Sequence, residues 1–161
     1  MQQKSKKSKS EHTETATHGT KYLGVDISSE HLDVYLYGKY KRFNNNHEGL
    51  KKLKALIDRQ NEPVLVAYES TGWLSRILAM QLLSMGVSQV CLNPSRVRNY
   101  ARAIGVQAKT DKKDCEMIAR FAEQTHAQAN VTESPVLMRL KELQSSLNFF
   151  KRRMKKKKSS L

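Results

Sequence analysis

The sequence predicts an α/β protein built on a mixed sheet. Residues 22–43 hold three short strand patterns in a row, as in a meander. Residues 45–124 then alternate helical patterns with short apolar runs, as in helix-linked parallel strands. With 39% hydrophobic residues in 161, the chain can build one packed core of ordinary size.

Each element has its own signal. Tyr22-Leu23-Gly24-Val25-Asp26-Ile27 is a mostly apolar strand broken by Ser28-Ser29. From 31 to 37 the pattern alternates, with Leu32, Val34 and Leu36 toward a core and Asp33, Tyr35 and Tyr37 toward solvent. Gly38-Lys39 reads as a turn and 40–43 as a third strand. Asn45 with Glu48 three residues on resembles a capping box, opening a helix whose apolar face is Leu50, Leu53, Leu56 and Ile57. The run 63–68 is nearly all apolar, as in a strand covered on both faces, and ends at Glu69. A helix over 72–85 stops at Gly86, and 87–92 is another short apolar strand. Asn93-Pro94 caps a helix that carries Val97, Tyr100, Ala101 and Ile104 and ends at Gly105. The linker 106–109 leads to a helix over about 110–124, with Cys115, Ile118, Ala119 and Ala122 facing inward. Three strands, helix, strand, helix, strand, then helices is the order of the ribonuclease H-like fold.

The charge is +14, and it is unevenly placed. Residues 1–10 hold four lysines and residues 151–161 hold seven Lys/Arg, with no acid in either stretch. Such ends favour polyanions through phosphate contacts and counterion release, and they also solubilise a chain. Residues 1–20 lack hydrophobic periodicity and read as a disordered basic leader. Three segments are therefore expected: the leader 1–20, a folded domain 21–125, and 126–161 as linker and start of a coiled-coil helix with a basic tail. In that last part Val136, Leu140, Leu143 and Leu147 are spaced as a short seam.

Several functions are disfavoured. No apolar run approaches the roughly 20 residues of a membrane span, and the first 20 residues have no secretory hydrophobic stretch. Cys91 and Cys115 lack CxxC spacing, which suits a reducing cytoplasm better than a disulfide or zinc framework. Neither GxxxxGK[ST] nor GxGxxG occurs.

Four acids stand out. Asp26 lies inside an apolar strand, where a carboxylate is costly unless paired or metal-bound. Glu69 ends a buried strand, where open α/β sheets usually place their sites. Asp111 and Asp114 are i and i+3 at a helix start and project to one side, although both also suit the positive end of that helix. If the first and fourth strands are neighbours and the last helix crosses them, these acids converge. Clustered carboxylates call for Mg²⁺ or Mn²⁺, which takes hard oxygen ligands and bridges phosphate oxygens. Two such ions about 4 Å apart serve phosphodiester cleavage.

The segments Gly24-Val25-Asp26-Ile27-Ser28, Leu32-Asp33-Val34, Glu69-Ser70-Thr71-Gly72, Asn93-Pro94 and Lys109-Thr110-Asp111-Lys112-Lys113-Asp114 occur in this order. Together they closely resemble the amino-terminal half of the DEDD transposases of insertion sequences, the family that includes the Piv DNA invertase. The resemblance implies a RuvC-like domain whose Asp26, Glu69, Asp111 and Asp114 are catalytic and bind divalent metal. It implies DNA as partner in site-specific recombination and transposition, a structured guide RNA in some members, and a prokaryotic, nucleoid-associated cytoplasmic location. It also suggests nucleic-acid contacts for Lys109, Lys112 and Lys113, for which a solvated loop is the plain alternative.

Family members are longer, with a coiled coil and a second domain that supplies a serine nucleophile. The expectation is therefore a partial transposase chain with a preserved metal site, left with water as nucleophile. A rival reading is a non-catalytic binder that holds DNA or RNA through its tails, those lysines and Arg96, Arg98 and Arg102. Such a binder would associate with itself or with a full-length transposase through helix 135–157. A self-sufficient junction resolvase, needing only the four acids, is a third.

Overall fold

The computed structural model describes residues 19–106 and 110–130, together with Gln144 and Leu147. Lys109, the basic leader up to residue 18, most of the expected helix 135–157 and the terminal lysine run lie outside the described residues.

The elements follow the expected order: β1 (Lys21–Ile27), β2 (His31–Leu36), β3 (Lys39–Asn44), α1 (His47–Asp58), β4 (Val64–Glu69), α2 (Trp73–Ser84), β5 (Gln89–Leu92), α3 (Pro94–Ala103) and α4 (Asp111–Gln124). The sheet order is β3-β2-β1-β4-β5. β2 is antiparallel to β1 and β3, while β4 is parallel to β1 and β5. This strand order, with helices on both faces, is the expected ribonuclease H-like mixed sheet.

Period-two alternation assigns the two faces of the sheet. Leu23, Val25, Leu32, Val34, Val66 and Tyr68 point to one side and pack with Leu50 and Leu53 of α1 and Leu78 and Leu82 of α2. On the other side, Leu65, Ala67 and Val90 pack with Val97 of α3 and Met117, Ile118, Phe121 and Ala122 of α4. Both faces of the central strands are therefore covered.

α4 lies unusually close to β1. A Cβ on Gly24 would overlap the backbone carbonyl oxygen of Cys115 and stand 2.7 Å from the Ala119 backbone nitrogen. Glycine at 24, with buried Cys115 and Ala119 above it, lets helix backbone meet strand backbone.

Three local expectations are corrected. The hairpin turn is Tyr37-Gly38, with φ of 52° and 75°, and not Gly38-Lys39. Two left-handed residues match the twist of a two-residue hairpin, so β3 starts at Lys39, opposite Leu36. The cap of α1 is Asn46, whose Oδ1 accepts from the Gly49 N–H at 2.9 Å. Asn45 is engaged elsewhere, donating its side-chain amide to the Ser28 carbonyl at 2.7 Å. Finally, Asp33 does not face solvent. It is 4% exposed, because α4 covers the side of β2 that the alternation had assigned to water.

Gly24→Ala is expected to cost about 3 kcal/mol or more, the range of severe overpacking against backbone that cannot swing aside. Urea unfolding followed by circular dichroism checks it. A loss under about 1 kcal/mol would mean that α4 rises off β1 without strain.

Candidate functional site

The sheet register aligns four charged residues in a row. Across β2–β3, Asp33 pairs with Arg42, and across β1–β2, Asp33 pairs with Asp26. Between the parallel strands β1 and β4, Val25 pairs with Tyr68, so Asp26 and Glu69 follow side by side at the strand ends. All four alternate with the residues that pack on α1 and α2, and so belong to the face beneath α3 and α4. A chain that pairs like charges directly opposite gives up some stability, which Asp26 and Asp33 do here.

α4 brings the remaining acids. Its cap Thr110 accepts from the Lys113 N–H through Oγ1 at 3.2 Å, and the Asp114 N–H donates to the Thr110 carbonyl at 2.8 Å. This opens the helix with Asp111 and Asp114 in its first turn, where the helix dipole favours carboxylates. The seat on Gly24 then sets that turn over the end of β1. Asp26, Glu69, Asp111 and Asp114 all line one open cleft of about 850 Å³. Arg98 and Arg102, one turn apart on α3, line the same cleft, above a floor that includes Val97 and Met117.

The electrostatics reflect this crowding. Burial, reinforced by Asp114 and more weakly by Asp33 and Asp111, raises the pKa of Asp26 above its ordinary 3.8, against a hydrogen bond from the Ile27 N–H. Burial also pushes the Cys115 thiol up to about 12, with Asp33 and Asp26 adding to it, so this cysteine is an inert packing residue. Asp33 is held from β3. Arg42 donates to it through Nε at 2.8 Å and Nη2 at 3.0 Å, and the Tyr40 hydroxyl donates to Oδ1. That hydroxyl bond raises the Tyr40 pKa to about 12. Arg42 Nη2 also reaches Asp111 Oδ2 at 2.6 Å.

The residues expected from sequence to contact nucleic acid divide. Arg98 and Arg102 line the same cleft as the acids. Arg96 instead lies over the Phe121 ring, 5.6 Å from its centroid. Lys112 and Lys113 are exposed on the first turn of α4 and are not among the cleft-lining residues, and Lys109 is outside the described residues.

The donor set suits a hard divalent cation: four carboxylates, all oxygen, around one cleft, with Asp26 already disfavoured as a bare anion. Among the described residues, however, no three His, Cys, Asp or Glu side chains are gathered tightly enough to hold a single ion. Mutual repulsion spreads carboxylates, and a bound cation removes that repulsion.

Asp33 and Arg42 were missed by sequence reasoning as partners of the acidic cluster. The signal existed: a two-residue turn at Tyr37-Gly38 sets Asp33 opposite Arg42 by counting alone. Shifting the turn by one residue moves that pairing by two positions and would set Asp33 opposite Asn44 instead.

The family model for DEDD transposases of the IS110 type, described as "Transposase", matches residues 23–160. The pilin gene-inverting protein of Moraxella bovis is 27% identical over 107 residues, covering 62% of this chain and 33% of that protein. The pilin gene-inverting protein of Moraxella lacunata matches to the same extent. The chain thus spans about a third of the length of the curated relatives it matches. Among solved structures, Thermus thermophilus RuvC in complex with a Holliday junction substrate is similar at 15% identity and a TM-score of 0.44, covering 67% of this chain and 97% of that one. A second Thermus thermophilus RuvC structure has a TM-score of 0.40.

The raised pKa of Asp26 has a definite sign. The folded protein binds this proton more tightly than the unfolded chain, so the stability linked to it is full below pH 3.8 and is lost as pH rises through the higher folded value. In metal-free, chelated buffer, Asp26→Asn is expected to melt above wild type at pH 7, with the gap closing toward pH 4. Thermal melts across that range check it; a mutant less stable at pH 7 would make Asp26 a stabilising anion.

Proposed function

The chain belongs to the DEDD transposase family of the IS110 type, and on that premise we propose that residues 21–125 form the cation-binding half of a DNA recombinase active site. One observation carries this reading. The four acids of the family pattern, Asp26, Glu69, Asp111 and Asp114, come from three separate elements and line one cleft together with Arg98 and Arg102.

In this reading the four carboxylates are catalytic and hold Mg²⁺ or Mn²⁺. Bound there, a divalent cation supplies Lewis-acid polarisation of a scissile phosphodiester and activation of the attacking oxygen. The chain's own residues do the rest. Arg98 and Arg102 draw the phosphate backbone of DNA into the cleft and orient it, since guanidinium groups suit phosphate oxygens. Asp26, whose proton affinity is raised above the ordinary carboxylate range, would favour protons over the cation as pH falls, so metal uptake would weaken toward low pH. The attacking oxygen comes from outside this domain: a serine of a second domain, as the family pattern implies, or water. Lys109, Lys112, Lys113 and Arg96 then extend the nucleic-acid contact beyond the cleft, to DNA or to a structured guide RNA. Self-association would run through helix 135–157. In this reading the chain is one part of a larger transposase.

The spread of the acids favours a second reading. Here the domain is a non-catalytic nucleic-acid binder that uses the same arginines and modulates a full-length transposase.

Calorimetric titration with Mn²⁺ separates the two. The first reading expects saturable binding by wild type and at least about tenfold weaker binding by Asp26→Asn, with DNA affinity retained. Absence of Mn²⁺ binding in both proteins, each folded, would leave the binder. The arginines have their own test: Arg98→Ala with Arg102→Ala should weaken DNA binding and lower the slope of log K against log salt by about 2. An unchanged slope would remove them from the phosphate path.

A further inference from the structure

Arg42 does more than neutralise a buried acid. Asp33 has a side chain that is 6% exposed, and a carboxylate so placed is costly unless it is paired and fully hydrogen-bonded. The Arg42 fork and the Tyr40 hydroxyl meet that need. The fork is set by cross-strand pairing, so one edge of the guanidinium is fixed by β-sheet register. Nη2 of the same fork also reaches Asp111 Oδ2 at 2.6 Å, 69 residues away in sequence.

Asp111 needs such a tether. It is the first residue of α4 and its side chain is 62% exposed, so its carboxylate would otherwise sample several solvent-facing rotamers. The bond from Arg42 engages Oδ2, and a carboxylate offers about four acceptor positions on its two oxygens, so Asp111 keeps positions for a further ligand.

We propose that Arg42, anchored on buried Asp33, is a positioning residue that holds the Asp111 carboxylate in the cleft for the divalent cation. The inference rests on the cation-binding reading above and assigns a role to two residues outside the Asp-Glu-Asp-Asp set. Groups that hydrogen-bond to metal-ligating carboxylates typically change metal affinity by about ten- to a hundredfold when removed.

The test is Mn²⁺ calorimetry on the full chain, with hydrogen exchange at the Lys113 and Asp114 amides in metal-free buffer. Those amides bond to Thr110 and report the order of the first turn of α4. Arg42→Ala is expected to weaken Mn²⁺ binding about tenfold or more and to speed exchange at both amides. Arg42→Lys should recover only part of the affinity, because an ammonium cannot bridge two carboxylates as a planar fork does. It also serves if the alanine variant fails to fold. Asp33→Asn should weaken binding as Arg42→Ala does, and the double variant no further, because both changes break one linkage. Unchanged or tighter Mn²⁺ binding in Arg42→Ala overturns the proposal, since Arg42 would then be inert or a competitor for Asp111. Additive losses in the double variant overturn it as well. If wild type binds no Mn²⁺, the cation reading fails by itself. Exchange then decides the positioning role: faster in Arg42→Ala supports it, unchanged overturns it.

Discussion

The close seat of α4 on β1 at Gly24 is the constraint on which the candidate site depends. Asp26 is on the strand and Asp111 and Asp114 are on the helix, and only backbone-to-backbone approach brings the first helical turn over the strand end. Small side chains at Gly24, Cys115 and Ala119 permit the approach. Met117, Ile118, Phe121 and Ala122, packed on Leu65, Ala67 and Val90, supply the apolar burial that holds the helix down. That burial also offsets the repulsion among the acids it assembles.

The same repulsion shapes the cleft. Burial, reinforced by the neighbouring acids, raises the proton affinity of Asp26, and strand register sets Asp33 directly opposite it across β1–β2. Arg42 is the local answer to the second problem, and Arg98 and Arg102 add positive charge to the lining that holds the four acids. A fold selected for stability alone would not arrange charges this way. Clusters of this kind, with perturbed proton affinities in a cleft, are a feature of functional sites.

Much of the fold was legible because its signals are local. The apolar run of β4, the alternation of β2, the Asn93-Pro94 start of α3 and the helical spacing of α4 each depend on a few neighbouring residues. Asp26 and Glu69 were legible for a related reason: a carboxylate in an apolar strand, or at the end of one, contradicts its surroundings. Asp111 and Asp114 instead suit a helix start and stood out by their spacing and the family resemblance. What failed were features set by another part of the chain. Asp33 looked solvent-facing because alternation in one strand cannot reveal that a helix about 80 residues later covers its polar-looking side. The hairpin was displaced by one residue because the sequence marks Gly38 as a turn residue without showing that Tyr37 also adopts a left-handed conformation.

By itself, then, the sequence determined the order of the elements and the mixed sheet and singled out Asp26, Glu69, Asp111 and Asp114 as candidates, since hydrophobic periodicity, caps and charge spacing are written in short windows. Only the tertiary structure decided that these acids line one cleft with Arg98 and Arg102, that Asp33 is buried, that Arg42 bridges it to Asp111, and that Arg96 packs on Phe121. These outcomes depend on strand register and on the depth at which α4 seats. Both are set by packing between segments distant in sequence, a property that no local pattern encodes.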